Sequence, residues 1–557
     1  MTHPSDYPPP FSVREVLAEP TDPPDERIEV GVLIVGAGPA GLACAIRLGQ
    51  LLEEEPHVAE RLGDVSVAVL EKGKQVGSHL LSGAVVNPRA LRTLFGERKR
   101  IADMPFHGEV RTESVYYLTR HQALRIPAPP TMKNHHNYVA SLSQLGRWLG
   151  EQAEEGGATI LPETAATKLL VEHGRVRGVR TDDKGRGRSG EPLANFEPGS
   201  DVVARVTVLC EGTQGHLTGA AIDRFGLAGE NPQVWALGVK EVWKVARPLD
   251  RVIHTMGWPL RNNPRYREFG GSFIYPVGDG MVTLGMVVGL DYRDAELSVH
   301  DLLQELKTHP LVRRILEGGE RVEWGAKTIP EGGFVALPKQ LHAPGLLLCG
   351  DGAGFVNVPA LKGIHYAIES GRLAAEAAFA AVRPGASPAT ALGAYDDALH
   401  ESFIWEDLQE VRNIRQAFGR GFWIGGALAG AMTATKGHFP PGNSRTEPDA
   451  EQPIISSRRA RRYPAPDGKL TFDKLSSVFA SGNKTRDDQP NHIRVQTRVP
   501  AEIGRMWEHM CPAQVYEWTD GEVHVTPSNC VQCGAISAKG GRLTPPEGGS
   551  GPEYTLT

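Results

Sequence analysis

Val32-Leu33-Ile34-Val35-Gly36-Ala37-Gly38-Pro39-Ala40-Gly41-Leu42 is the stretch on which the fold turns. Four successive apolar residues suit a parallel strand buried on both faces. Gly36 permits the tight turn that follows, Gly38 a close approach of backbone to a pyrophosphate, and Gly41 the packing of helix on strand. The helix expected from Pro39 offers its free amides and positive dipole end to those phosphates. A second strand, Val65-Ser66-Val67-Ala68-Val69-Leu70, ends at Glu71, placed to accept hydrogen bonds from a ribose hydroxyl. Thirty positions separate Gly41 from Glu71 where about twenty are usual. The polar run Glu53-Glu54-Glu55-Pro56 through Asp64 accounts for the excess as a surface insertion. A dinucleotide site follows from strand, glycine turn, helix and terminal acid taken together.

Which dinucleotide is decided downstream. Leu346-Leu347-Leu348-Cys349-Gly350-Asp351-Gly352 is another apolar strand entering a Gly-Asp turn, and Gly363 to Ala377 reads as a helix. This resembles the second flavin segment of the glutathione-reductase-like FAD proteins, where the Asp holds the ribityl chain and the next helix points at the flavin pyrimidine. Val206 to Gly212 looks like the strand that closes such a domain. Cys44, Cys210 and Cys349 lie inside apolar segments and read as small core residues. Three cysteines remain, Cys511 and the pair Cys530-Val531-Gln532-Cys533. A cubane iron–sulfur cluster takes four thiolates, commonly Cys-x-x-Cys-x-x-Cys plus one remote Cys. Here the position three beyond Cys533 is Ile536, which cannot bind iron.

At 557 residues the chain exceeds one ordinary core, and 64 glycines suit an enzyme rich in tight turns. A net charge of −6 argues against nucleic acid as a partner. The six cysteines show no disulfide-like pattern, and neither a signal peptide nor a targeting segment is expected at the N-terminus. Gly421 to Thr435 is uncharged, contains Phe422 and Trp423, and stands between Arg420 and Lys436. As a helix it would measure about 22 Å, too short to cross a bilayer but able to enter one leaflet. Its other reading is a Gly/Ala-rich helix packed inside the protein. Tyr116 to Met132 reads as an irregular apolar loop. His135, His136 and His492 read as loop or interface residues, Arg458 to Arg462 as a solvated cluster, and residues 1–28 as a surface arm. Residues 437–464 read as an extended connector.

Val76 to Ala84, Phe269 to Tyr275, Glu331-Gly332-Gly333-Phe334, Gly354 to Gly363, Leu475 to Val478, Asp488 to His492 and Pro546 to Pro552 complete a pattern running nearly the whole length. In that order it resembles the electron transfer flavoprotein–ubiquinone oxidoreductase family. The resemblance implies an α/β fold with α+β parts, built as three units. They are a Rossmann-type FAD domain (29–115, 160–220, 335–395), a quinone-binding domain meeting the membrane (116–159, 221–334, 396–436), and a ferredoxin-like tail (465–557). It implies FAD held by Gly36, Gly38, Gly41, Glu71, Lys72, Ser82, Gly83, Gly350, Asp351 and Gly363, and a quinone near Gly270 and Gly271. From the residues alone that glycine pair would read as a β-bulge or tight bend. Electron transfer flavoprotein, a membrane quinone and one leaflet of lipid near Gly421–Thr435 and Tyr116–Met132 are the implied partners. In a bacterium the expected place is the cytoplasmic face of the inner membrane. Three states of the tail stay open: a three-iron cluster on Cys511, Cys530 and Cys533, a four-iron cluster with water or Ser537 completing it, or no stable cluster. Zinc would need His524 or another residue as a fourth ligand. The competing functions are an FAD-dependent reductase or hydroxylase of the geranylgeranyl-reductase or aromatic-hydroxylase type, and a non-catalytic flavin-binding subunit.

Overall fold

An apolar strand between two others of its kind needs cover on both faces. Ile28–Val35 accordingly runs inside a nine-stranded sheet, with parallel partners Asp201–Leu209 on one side and Val67–Leu70 on the other. The molecule is described from a computed structural model covering residues 2–21, 26–278, 280–456 and 461–557. Asp201–Leu209 also pairs in parallel with Leu346–Leu348, so the two dinucleotide segments sit at neighbouring strand ends. The helices Pro39–Glu54 and Ile364–Val382 follow those strands and cross closely. A Cβ on Gly371 would fall 2.0 Å from the Ala40 carbonyl oxygen, which is why glycine stands there.

The second sheet has seven strands in the order Glu320–Pro330, Trp235–Lys244, Met281–Gly289, Gly270–Pro276, Val252–Gly257, Glu113–Leu118 and Ala123–Ile126. All its pairs are antiparallel except Val252–Gly257 with Glu113–Leu118. The segment read as an irregular apolar loop is therefore largely an edge hairpin. Thr119 closes it by donating its amide to the Gln122 carbonyl and accepting the Gln122 amide on its hydroxyl.

Several boundaries shift from those read in the sequence. The helix Leu142–Glu155, inside the 116–159 segment assigned to quinone binding, packs on Pro39–Glu54 and buries Leu145 and Leu149 in the first sheet's core. Ile404 and Leu408, placed in the 396–436 segment, belong to that same core. The N-terminal arm is more than a surface strap, because Leu17–Ala18 adds a strand to the first sheet and Val16 is buried. Arg458 and Arg459 lie outside the described residues. Arg461 is a correction: instead of being solvated, its guanidinium is buried against Glu268 and Asp294. His492, read as a loop or interface residue, is buried too. Residues of the connector are likewise tied down, Ile454 to Thr2 and Ile455 to Asp294.

The tail has no separate apolar core. Ile503, Met506, Trp507 and Val515 belong to one cluster with Leu237, Val239 and Trp243 of the second sheet. Trp507 Nε1 donates to the Lys539 carbonyl, and Lys539 Nζ donates to that of Tyr292. The last stretch then returns to touch both sheets. Gly548 N donates to Asp182, Gly549 N to the Lys72 carbonyl, and Thr555 N and Leu556 N to Glu323. The Thr557 carbonyl accepts from Ser143 N and Ser141 Oγ at the start of the Leu142–Glu155 helix.

Candidate functional site

A cavity of about 940 Å³ opens where the two sheets meet. One end is the glycine turn. Gly36 has φ +105°, and a Cβ there would stand 2.4 Å from the Cys210 carbonyl oxygen. A Cβ on Gly41 would meet the Gly36 carbonyl oxygen at 2.0 Å. Gly38 differs: its nearest neighbour would be Leu80 at 3.8 Å, so protein packing does not demand glycine. The space its side chain would fill belongs to the cavity, as expected where a ligand comes against backbone. Two helices present ends without a side-chain cap here, Pro39–Glu54 after Gly38 and Ile364–Val382 after Gly363. Unsatisfied amides at helix N-termini favour anionic or hydrogen-bond-accepting groups. Size, glycine cradle and uncapped amides together fit FAD.

Glu71, expected at a ribose hydroxyl, braces the turn by accepting Ala37 N at 3.1 Å and Gly73 N at 2.7 Å. Each carboxylate oxygen can accept again, and Glu71 also lines the cavity. Gly350 takes φ +63° beside Ala40, and burial pushes the neighbouring Asp351 carboxyl up to about 6. Ser82 and Gly83 form another wall. The Ser82 carbonyl accepts from Lys240 Nζ at 2.6 Å, and a Cβ on Gly83 would lie 3.0 Å from the Phe273 ring. Cys210 and Cys349, read as core residues, are buried and also border this cavity.

Of the cations, Lys72 was read from the sequence, while Lys240, Lys327 and Lys362 were not. Burial pushes Lys240 down to about 7, Lys327 to about 8 with help from neighbouring Lys72, and Lys362 to about 8. All three line the cavity, as does Lys72. Their signal was present, since Lys240 and Lys327 interrupt apolar strands, where an unpaired cation is costly without a purpose.

Further along the same cavity lie Gly270 and Gly271. Neither marks a bulge: the Gly270–Pro276 strand keeps unbroken register with Met281–Gly289. A Cβ on Gly270 would strike the Val287 carbonyl oxygen at 2.0 Å, and one on Gly271 the Thr255 carbonyl oxygen at 2.6 Å. His254 and Tyr275 border this part and share a 2.7 Å hydrogen bond. Burial holds His254 down at about 3, so it is neutral at ordinary pH. The far end is lined by small residues of the Phe422–Ala434 helix, including Gly426, Ala429 and Gly430. That helix is not packed inside the protein, for Trp423 is 66% and Ile424 60% exposed. Tyr117 of the edge hairpin stands 5.3 Å from the Trp423 ring and 5.4 Å from Phe422, which joins the two apolar segments in one patch. Arg415 anchors the approach to the helix on Asp291 and Glu331, both at 2.8 Å, giving the Glu331-Gly332-Gly333-Phe334 motif a structural part. Among the described residues no helix is long and apolar enough to cross a membrane.

The tail cysteines border the same region. The Gln532 side chain accepts from Lys72 Nζ at 2.7 Å, its carbonyl from Lys327 Nζ at 3.1 Å, and the Cys533 carbonyl from Thr328 N at 2.8 Å. Cys511 Sγ accepts Val515 N and Cys530 Sγ accepts Gln532 N, each at 3.4 Å. Cys511, Cys530 and Ile536 lie in one apolar cluster, with Cys533 packed against it. The three tail cysteines and Ile536 thus share one part of the tail.

Comparison with known proteins bears on both ends of the cavity. A family model described as "ETF-QO, ubiquinone-binding" matches residues 235–329. Another, "Electron transfer flavoprotein-ubiquinone oxidoreductase, 4Fe-4S", matches 468–555. The mitochondrial electron transfer flavoprotein–ubiquinone oxidoreductase of Dictyostelium discoideum is 40% identical, over 98% of this chain and 93% of that one. The human mitochondrial protein of that name is 37% identical, over 94% and 89%. A probable counterpart from Acinetobacter baylyi is 37% identical, over 95% and 98%. Among solved structures, a geranylgeranyl bacteriochlorophyll reductase-like protein from Thermoplasma acidophilum superposes with TM-score 0.55 at 18% identity, over 74% of this chain and 92% of that one. That last likeness is one of fold.

Proposed function

The chain belongs to the electron transfer flavoprotein–ubiquinone oxidoreductase family, and from that premise we infer how its geometry serves the reaction. It is an oxidoreductase that takes electrons from reduced electron transfer flavoprotein and passes them to a quinone, with FAD and an iron–sulfur cluster as cofactors. One observation carries the structural side of this reading: a single cavity runs from the glycine turn past Gly270 and Gly271 to an exposed apolar helix.

FAD, when bound, supplies the capacity to gather electrons singly and release them as a pair. Gly36, Gly38 and Gly41 would hold its pyrophosphate, Glu71 a ribose, and Asp351 with Gly363 the far part of the molecule. The wall formed by Ser82, Gly83 and Phe273 would fix the ring. Lys72, Lys240 and Lys327 make negative charge cheaper in a cavity where the low dielectric strengthens every interaction. The quinone head would lie along the cavity wall to which Gly270 and Gly271 belong, where absent side chains let the strands close up. Reducing a quinone to a quinol takes up two protons. The hydrogen-bonded pair His254–Tyr275 is suited to hand one on without either group being charged beforehand.

The Phe422–Ala434 helix and the Tyr117 hairpin would rest in one leaflet, with Trp423 at the headgroup boundary. In a bacterium the membrane so contacted would be the inner one, at its cytoplasmic face. Anaerobic stopped-flow mixing tests the whole reading. Reduced electron transfer flavoprotein should bleach the flavin, and a short-chain ubiquinone analogue should restore its colour. Flavin that stays oxidised with the donor, or stays reduced with the quinone, overturns it. Rapid bleaching by NADPH alone would favour a reductase of the kind whose fold it shares.

A further inference from the structure

A cubane cluster presents an iron at each of four corners, and each iron seeks one protein donor. Three donors are in hand: Cys511 at the end of the Ala501–Met510 helix, Cys530, and Cys533, with backbone N–H groups already directed at the first two sulfurs. The position one helical turn beyond Cys533 is Ile536, 4% exposed. Its side chain packs over Gly541, where an added Cβ would meet Ile536 Cγ1 at 2.5 Å and Val495 Cγ1 at 2.8 Å. The substitutes fail for separate reasons. Ser537 Oγ is engaged by Leu543 N at 2.9 Å and borders the flavin cavity. His524 is exposed on its strand. A water or hydroxide ligand needs several polar partners, and Ile536 itself packs in an apolar cluster. Among the described residues no three His, Cys, Asp or Glu side chains stand close enough to share one ion, which removes a mononuclear zinc site. A cluster spreads its thiolates over different irons and has no such requirement.

We propose that the tail holds a cuboidal three-iron, four-sulfide cluster on Cys511, Cys530 and Cys533, the corner beneath Ile536 carrying no iron. A cubane that lacks one iron leaves three irons, each needing one thiolate, and so matches the donor set. The proposal rests on the family reading that this tail binds an iron–sulfur cluster at all, and its test does not use turnover.

Anaerobically purified protein should contain three irons and four sulfides per flavin. Its oxidised form should give an EPR signal, since an odd number of ferric ions leaves an unpaired spin. Ile536→Cys should raise the iron to four per flavin and move the signal from the oxidised to the dithionite-reduced state. Four irons in the unaltered protein with a silent oxidised spectrum would overturn the proposal, and so would protein holding flavin but no iron. If Ile536→Cys fails to fold, the measurements on the unaltered protein still decide. A protein that reduces quinone normally yet lacks the three-iron signature loses only this proposal, whereas failed flavin bleaching strikes at the donor reading.

Discussion

At the scale of single residues the nucleotide end is the most exacting part of the molecule. Gly36→Ala forces a side chain into positive φ and onto the Cys210 carbonyl. We expect about 1–3 kcal/mol of destabilisation and loss of most bound FAD, read as the flavin-to-protein absorbance ratio. Lys240 makes a different prediction. Burial holds its amine near 7 where the unfolded chain keeps it near 10.5. Between those values the unfolded state binds the extra proton, so this residue's contribution to stability rises with pH over that window. Lys240→Met should flatten the rise, as seen by melting temperature against pH from 7 to 10 on flavin-free protein. An unchanged slope would show that the amine titrates elsewhere. Gly36, Gly38 and Gly41 were legible in the sequence because what they do is local, a turn and a close approach. Lys240, Lys327 and Lys362 were not, because their meaning depends on which strands converge from positions far apart in the chain. Gly270 and Gly271 sat between: visible as glycines, but explicable only once Val287 and Thr255 were seen beside them.

At the scale of elements the Phe422–Ala434 helix is the clearest case. It leaves Trp423 and Ile424 exposed while Gly425 and Met432 are buried, so one side packs on the protein and the other is open. Replacing Trp423 and Ile424 together by Ser removes two large exposed apolar groups, each worth about 1.5–3 kcal/mol when taken out of water. Binding to phosphatidylcholine–phosphatidylglycerol vesicles, read by co-sedimentation, should fall by roughly a hundredfold or more, while flavin content stays unchanged. Equal sedimentation of the two proteins would place the lipid contact elsewhere. The helix was readable from its missing charges, although composition could not say which way it faced. The hairpin over Glu113–Ile126 was not readable as such, because Tyr116-Tyr117-Leu118 fits strand or apolar loop alike. Pairing with Val252–Gly257 settles it. The strand–turn–helix of the first sheet needed no such partner to be recognised.

At the scale of the whole molecule, the tail and the quinone-side sheet stand or fall together. Trp507 is fully buried in their common cluster. Trp507→Ala should cost about 3–5 kcal/mol. We expect flavin release and far-ultraviolet circular dichroism to melt in one lowered, coincident transition. Two separated transitions would mean that the tail folds by itself after all. The resemblance implied three units, but the contacts that merge two of them join residues more than two hundred positions apart. The returning stretch from Gly548 to Thr557 has a consequence for biogenesis. A ribosome emits Asp182, Ser141 and Ser143 hundreds of codons before the segment that satisfies their hydrogen bonds. Until that segment emerges, the nucleotide-binding half is left unlatched. Firm retention of its yellow prosthetic group should therefore wait on that late-made segment.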